Sequence, residues 1–225
     1  MSALLEIRNL FAGYSPSSNI LQGVSFSLNK GETVGVLGLN GSGKSTLAKV
    51  LMGQIPYRSG EILYKGDSLT DVPTSALRKI GIAYMRQGGA VFGNLSVEAN
   101  LWLAARTDTS RSKKSLPPSL KGKSKLQASR LSGGERQLLA LYMALASDPE
   151  LLILDEPGAG LSPAASGQMY SQLRDMTAEK KITTLLIEQN VARAVELSSR
   201  IVLVSNGKAT TLPADFEIIE NAYFL

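Results

Sequence analysis

The 225-residue chain contains no cysteine and no histidine. Those absences exclude disulfides, thiolate nucleophiles, Cys/His zinc sites and imidazole bases. Any catalysis must rest on carboxylates, amides, lysine, hydroxyls and a hard, oxygen-liganded metal such as Mg²⁺. Lack of cysteine is also compatible with a reducing cytosol. No apolar run approaches the roughly 18 residues needed to span a bilayer. The opening Met1-Ser2-Ala3-Leu4-Leu5-Glu6 lacks the basic-then-apolar order of a signal sequence. A soluble cytoplasmic protein, or a peripheral one, is expected.

Acidic residues are missing from positions 109–130, where Arg111, Lys113, Lys114, Lys121, Lys123, Lys125 and Arg130 concentrate the charge. The whole chain carries +5, so the remainder is slightly acidic. With Pro117-Pro118 and several serines the stretch reads as a mobile linker or loop. It has no interleaved aromatic residue, which disfavours a nucleic-acid groove. Contact with anionic lipid is the alternative to a solvated basic loop.

What is present is ordinary globular composition, 44% hydrophobic and 19% charged, with two glycine-rich turns. Thr33-Val34-Gly35-Val36-Leu37 reads as a buried strand and Ser45–Leu51 as a helix; between them lies Gly38-Leu39-Asn40-Gly41-Ser42-Gly43-Lys44. That is the setting of a phosphate-binding loop. Gly38, Gly41 and Gly43 let the backbone wrap phosphates closely, Lys44 would hold β- and γ-phosphate oxygens, and the Ser45 hydroxyl would face Mg²⁺. Far along the chain, Leu131-Ser132-Gly133-Gly134-Glu135 also precedes a helical pattern. Free N–H groups and the positive helix end favour an anion there too. One nucleotide needs one such cradle, so the second implies a further subunit that completes the site. Leu151–Leu154, four apolar residues, ends in Asp155-Glu156. Ligands gather at the carboxyl ends of buried parallel strands. Asp155 is placed to orient Mg²⁺ and Glu156 to align or deprotonate water.

Read coarsely, Leu5–Leu10 and the alternating Val24–Leu28 are strands of a sheet exposed on one side. Glu61–Tyr64 with a turn at Lys65-Gly66-Asp67 and Ile80–Met85 read as further strands. A helical pattern follows residue 95. After the Ser132 turn opens a helix through Leu141, strand and helix alternate: Leu151–Leu154, Gln168–Thr177, Ile182–Ile187, Val191–Leu197 and Ile201–Val204. Such alternation implies a parallel sheet covered on both faces.

The phosphate loop, the Leu131–Glu135 motif and Asp155-Glu156, in that order, resemble an ATP-binding cassette (ABC) ATPase over nearly the whole length. The resemblance implies an α/β fold: a P-loop, RecA-like parallel-sheet core with an N-terminal antiparallel β subdomain and a small helical subdomain carrying the signature motif. One domain over 1–225 is expected, with core and β subdomain at about 1–92 and 145–225. The helical subdomain would span about 93–144, with its basic loop at 109–130. ATP and Mg²⁺ are the implied cofactors, Asn40, Ser42 and Thr46 joining the phosphate loop. In that family two cassettes pack head to tail, and Ser132, Gly133 and Gly134 would touch the nucleotide of a partner cassette.

By the same resemblance Tyr14 stacks on adenine, and Gln87 senses Mg²⁺ and the attacking water. Gly160-Leu161-Ser162-Pro163 resembles the loop that communicates across the dimer, with serine where aspartate is common. Gln189 stands where most cassettes place a histidine against the γ-phosphate. Glutamine can donate a hydrogen bond there but cannot shuttle a proton, so turnover should lack a histidine-like inflection. Ile187-Glu188-Gln189-Asn190, Gln87-Gly88 with Val91-Phe92, Asn94–Leu101 and Asn221-Ala222-Tyr223-Phe224-Leu225 resemble the second ATPase of importers for branched-chain amino acids, urea or short amides. The implied partners are a second cassette, transmembrane permease subunits and, indirectly, a solute-binding protein; the implied location is the cytoplasmic face of the membrane. A soluble cassette protein acting on ribosomes, nucleic acid or cofactor assembly is the competing reading. The translation-associated group normally carries two cassettes in one chain, which this sequence lacks.

Overall fold

The computed structural model describes residues 3–15, 18–105 and 116–224. Alternating side chains at the start of the chain produce a sheet with one covered face. In it β1 (Ala3–Ala12) pairs antiparallel with β2 (Leu21–Asn29) and β4 (Tyr57–Tyr64). A turn at Lys65-Gly66, both residues in left-handed backbone, adds β5 (Asp67–Ser68) to β4. The second sheet is built from β3 (Thr33–Leu37), β6 (Ile82–Met85), β7 (Leu151–Asp155), β8 (Thr183–Ile187), β9 (Arg200–Ser205) and β10 (Lys208–Pro213). Their order is β10-β9-β3-β8-β7-β6, parallel throughout except for β10, which runs antiparallel on β9.

Helices cover that sheet because its strands are apolar on both faces. Leu151 and Ile153 of β7 face a core shared with the antiparallel sheet and α1 (Lys44–Leu51). Leu152 and Leu154 face a second core with α3 (Val97–Ala105), α4 (Gly133–Leu145) and α5 (Pro163–Lys180). The short α2 (Thr74–Leu77) contributes Leu77 to the first core. A smaller cluster joins Leu37 of β3 to Ala194 of α6 (Val191–Leu197) and Ile219 of α7 (Phe216–Phe224). Among the described residues no helix is long and apolar enough to cross a membrane.

Two expectations differ from the structure, and two elements had no counterpart in the sequence reading. The strand expected at Ile80 begins at Ile82, because Gly81 turns with φ 96° and leaves Ile80 at the surface. β10 and α7 were not legible: β10 is an edge strand with little buried on either face, so no alternation marks it. The basic stretch is also more ordered than a loose loop. Arg111, Lys113 and Lys114 lie outside the described residues, but Pro118–Lys123 and Ala128–Arg130 form short 3-10 turns. Leu120 and Ala128 are fully buried, and Val97 and Glu98 donate backbone bonds to Leu126 and Ser124. Apolar residues scattered among the lysines fix this segment, and the charge run conceals them.

Asn100 of α3 holds the chain that follows Gln87. It is wholly buried; its amide donates to Phe92 O (3.0 Å) and Ser96 O (2.9 Å) and accepts from Phe92 N (2.7 Å). Asn100→Ala strands these backbone groups and is expected to cost about 2–3 kcal/mol. Urea unfolding of the variant, at unchanged slope, measures that loss.

Candidate functional site

Parallel register lines up the strand ends. Val36 and Asp155 both pair with Ile187, and Met85 pairs with Leu154. The residues just beyond, Gly38, Glu156, Glu188 and Gln87, therefore reach one edge of the sheet, where ligands of open α/β folds bind.

On β3 the chain leaves Leu37 into the glycine-rich loop and re-enters helix at Lys44. Gly43 caps α1 with φ 113°, a conformation open chiefly to glycine. Gly38 lies so close to β9 that a Cβ would sit 2.3 Å from Val204 O. Lys44 is buried, and its ammonium donates to Gly38 O (2.7 Å) and Leu39 O (3.0 Å) of its own loop. Burial pulls the Lys44 pKa down, opposed by the nearby carboxylates of Glu156, Asp155 and Glu188. Ser42 Oγ is buried without a hydrogen-bond partner among the described residues, a donor suited to a phosphate oxygen. Asn40 is exposed at the loop tip. Tyr14 is exposed beside α1: Lys49 Nζ is 3.2 Å from its hydroxyl and 5.4 Å from its ring centroid. Hydrogen bonding to Thr46 is the main influence lowering its phenol pKa.

The carboxylates stand opposite. Asp155 closes β7 with Oδ1 3.4 Å from Ser45 Oγ and Oδ2 accepting from Tyr84 OH at 3.2 Å. Glu156 follows in left-handed backbone, φ 48°. For a non-glycine residue that costs about 1–2 kcal/mol, and such strain persists where surrounding contacts fix it. Here two amides do so: Gln87 Nε2 donates to Oε2 (2.8 Å) and Gln189 Nε2 donates to Oε1. Glu188 accepts from Tyr170 OH and from the Gln189 backbone N–H (3.2 Å), steadying the turn that carries Gln189. Burial pushes the pKa values of Asp155 and Glu188 up, and those of Tyr84 and Tyr170 as well.

Three carboxylates against one buried ammonium make a setting that a divalent cation would relieve. Ser45, Asp155 and Gln87 offer hydroxyl, carboxylate and amide oxygens, the hard donors Mg²⁺ prefers. Among the described residues no group of three or more Asp, Glu, His or Cys could cage a metal. That suits an ion which takes its remaining ligands from water and phosphate.

The Ser132 turn belongs to a different place. Ser132 caps α4: its hydroxyl accepts from Glu135 N, and the Glu135 carboxylate accepts from Ser132 N, a reciprocal capping box. Lys123 pairs with the same carboxylate and is the main reason its pKa is lowered. A cavity of about 220 Å³ beside Ser132, Gly134 and Glu135 is walled by Leu138, Ala165 and Met169, with nothing from β3, α1 or the ends of β7 and β8. Gly133 has open space at its missing Cβ. Gln137 of α4 donates to Ala159 O (2.8 Å), a link toward the segment after Glu156. Ser162 caps α5 by accepting from Ala165 N (3.4 Å). Aspartate would cap equally well, which explains how serine serves there.

The structure thus brings together Tyr14, the loop from Gly38 to Thr46, Gln87, Asp155, Glu156 and Gln189, and leaves Ser132, Gly133 and Gly134 elsewhere on the surface. Gln189 was expected against a phosphate; here its amide engages Glu156. Tyr84, the Glu188–Tyr170 pair and Tyr223 escaped the sequence reading of the site. Tyr84 offered one signal, since it lies on a strand that ends at this edge.

A family model described as ABC transporter matches residues 21–159. Among curated proteins, the chain is 38% identical over 228 residues to the probable branched-chain amino acid transport ATP-binding protein LivF of Archaeoglobus fulgidus, covering 98% of this chain and 96% of that protein. It is 37% identical over 195 residues to the high-affinity branched-chain amino acid transport ATP-binding protein BraG of Pseudomonas aeruginosa, covering 84% and 83%. Among solved structures, an ATP binding subunit of an ABC transporter superposes with a TM-score of 0.82 at 29% identity, covering 97% of this chain and 93% of that one. The ADP conformation of an ATP-binding cassette of an ABC transporter gives 0.85 at 24% identity, covering 98% and 94%, a likeness of fold.

Proposed function

Since the chain belongs to the ABC transporter family and is an ATP-binding, ATP-hydrolysing subunit of that kind, we propose that it drives import of amino acids or small amides through separate permease subunits. It would sit peripherally on the cytoplasmic face of the membrane, with a solute-binding protein delivering cargo outside. The names of the LivF and BraG relatives support the cargo class. The observation that carries the mechanism is Glu156, each of whose oxygens is held by a glutamine amide from a different strand end.

Lys44 and the loop amides bind the triphosphate, and Tyr14 stacks on adenine. Water attacks the γ-phosphorus, its proton passes to Glu156, and the bond to the β–γ bridging oxygen breaks. Gln87 and Gln189 fix the carboxylate that takes the proton; neither amide carries one itself. Ser45, Asp155 and Gln87 would hold Mg²⁺, which would supply neutralisation of the phosphate charge. Ser132, Gly133 and Gly134 complete the site of a second cassette, so that nucleotide binding closes the pair and hydrolysis reopens it.

Gln189→Ala frees one oxygen of Glu156. Its kcat should fall roughly ten-fold, the size of one lost hydrogen bond to a charged group, with MgATP affinity within a few-fold of wild type. Steady-state phosphate release at varied ATP separates the two. Purification of tagged protein from detergent-solubilised membranes tests the transport role: polytopic subunits should follow, whereas recovery of ribosomes would favour the soluble alternative.

A further inference from the structure

The α7 helix reaches the phosphate loop. Ile219 is wholly buried in the cluster that contains Leu37, the residue before the loop, and Tyr223 packs against the same cluster. One turn beyond Ile219, the Tyr223 hydroxyl donates to Gly38 O at 3.1 Å. Burial raises its pKa, and the charge of Glu156 adds to the effect, which favours the protonated phenol that donates this bond. Gly38 O therefore has two donors, Tyr223 OH and Lys44 Nζ, and Leu39 O likewise has two, Lys44 Nζ and the Ser42 backbone N–H at 3.1 Å.

We propose that Tyr223 is a positioning residue that releases Lys44 to the triphosphate. An ammonium has three N–H donors. Two are committed to Gly38 O and Leu39 O, so turning all three to the phosphates requires Lys44 to abandon both carbonyls. A buried carbonyl left without a donor costs as much as a lost hydrogen bond. Neither carbonyl meets that cost, because Ser42 N still donates to Leu39 O and Tyr223 to Gly38 O after Lys44 has turned away. The tyrosine thus favours the phosphate-bound arrangement of Lys44 over the self-closed one while touching neither nucleotide nor water.

This inference rests on Lys44 binding phosphate, and Tyr223→Phe tests it while keeping the ring. In the full-length chain, titration with MgATP should give a Kd raised about 3–10-fold, the effect of one hydrogen bond. Midpoint of thermal unfolding without nucleotide should stay within about 2 °C, since Lys44 still satisfies Gly38 O there, and kcat at saturating ATP within about two-fold. A purely structural tyrosine would instead lower the nucleotide-free midpoint, and that outcome, like an unchanged Kd, overturns the proposal. Lys44→Ala is measured alongside: if that variant binds MgATP as tightly as wild type, the assignment of Lys44 fails, separately from the role of Tyr223.

Discussion

Glu156→Gln is expected to lower ATP turnover by at least about 100-fold, the lower range for loss of a general base, while leaving MgATP affinity within a few-fold. The substitution keeps the shape of the side chain and removes the proposed proton acceptor. Glu156 sits in left-handed backbone beyond β7, held by Gln87 and Gln189, and the amide can keep that place once one of the two glutamines turns its own oxygen toward the new NH₂. With hydrolysis blocked and binding intact, the nucleotide-closed pair of subunits should accumulate. Phosphate release and light scattering, each with MgATP, read the two effects. Hydrolysis at the wild-type rate would remove Glu156 from the mechanism.

The second large effect is expected from Gly133→Asp. A Cβ at this position meets nothing within 4 Å, and residue 133 opens α4. An aspartate at the first turn favours the helix by about 0.3–1 kcal/mol, so the fold should be as stable as wild type. In the proposed composite site the same carboxylate would stand in the anion cradle for the triphosphate of a partner subunit. Turnover should fall by about 100-fold or more through loss of that electrostatic stabilisation, whereas binding of MgATP to the chain's own phosphate loop should persist. Wild-type turnover in this variant would show that the Ser132 turn is only a helix cap. A fall in MgATP affinity of the same size as the fall in turnover would place Gly133 in the same pocket as Lys44.

Much of the site was legible because parallel strands deliver their last residues to one edge. Once Thr33–Leu37, Leu151–Leu154 and Ile182–Ile187 read as buried strands, Gly38, Asp155, Glu156 and Gln189 had to lie near one another. The helix that the Ser132 turn opens was equally visible, as an apolar run through Leu141 after a small-residue turn. Tyr170 gave no such sign, and Tyr84 only its place on a strand that ends at this edge, since a tyrosine in an apolar segment looks like any core residue until a carboxylate is found at its hydroxyl. Tyr223 was hidden by distance along the chain: 185 residues separate it from Gly38, and only the closing of β10 and α7 over the β9 edge brings them together. The order in residues 116–130 was masked for the opposite reason, because lysines dominate a segment whose placement depends on Leu120, Leu126 and Ala128.

The cysteine-free sequence makes the shared nucleotide site directly measurable. One Glu156→Gln chain carrying Asn40→Cys at the phosphate loop and another carrying Ser132→Cys can be mixed and treated with a short thiol-reactive cross-linker. With MgATP the mixture should give a covalent species of about twice the 24.0 kDa chain mass, absent without nucleotide and absent from either chain alone. If the mixture binds MgATP yet stays at the mass of single chains, the Lys44 loop and the Ser132 turn do not meet across two subunits, and the composite site is wrong.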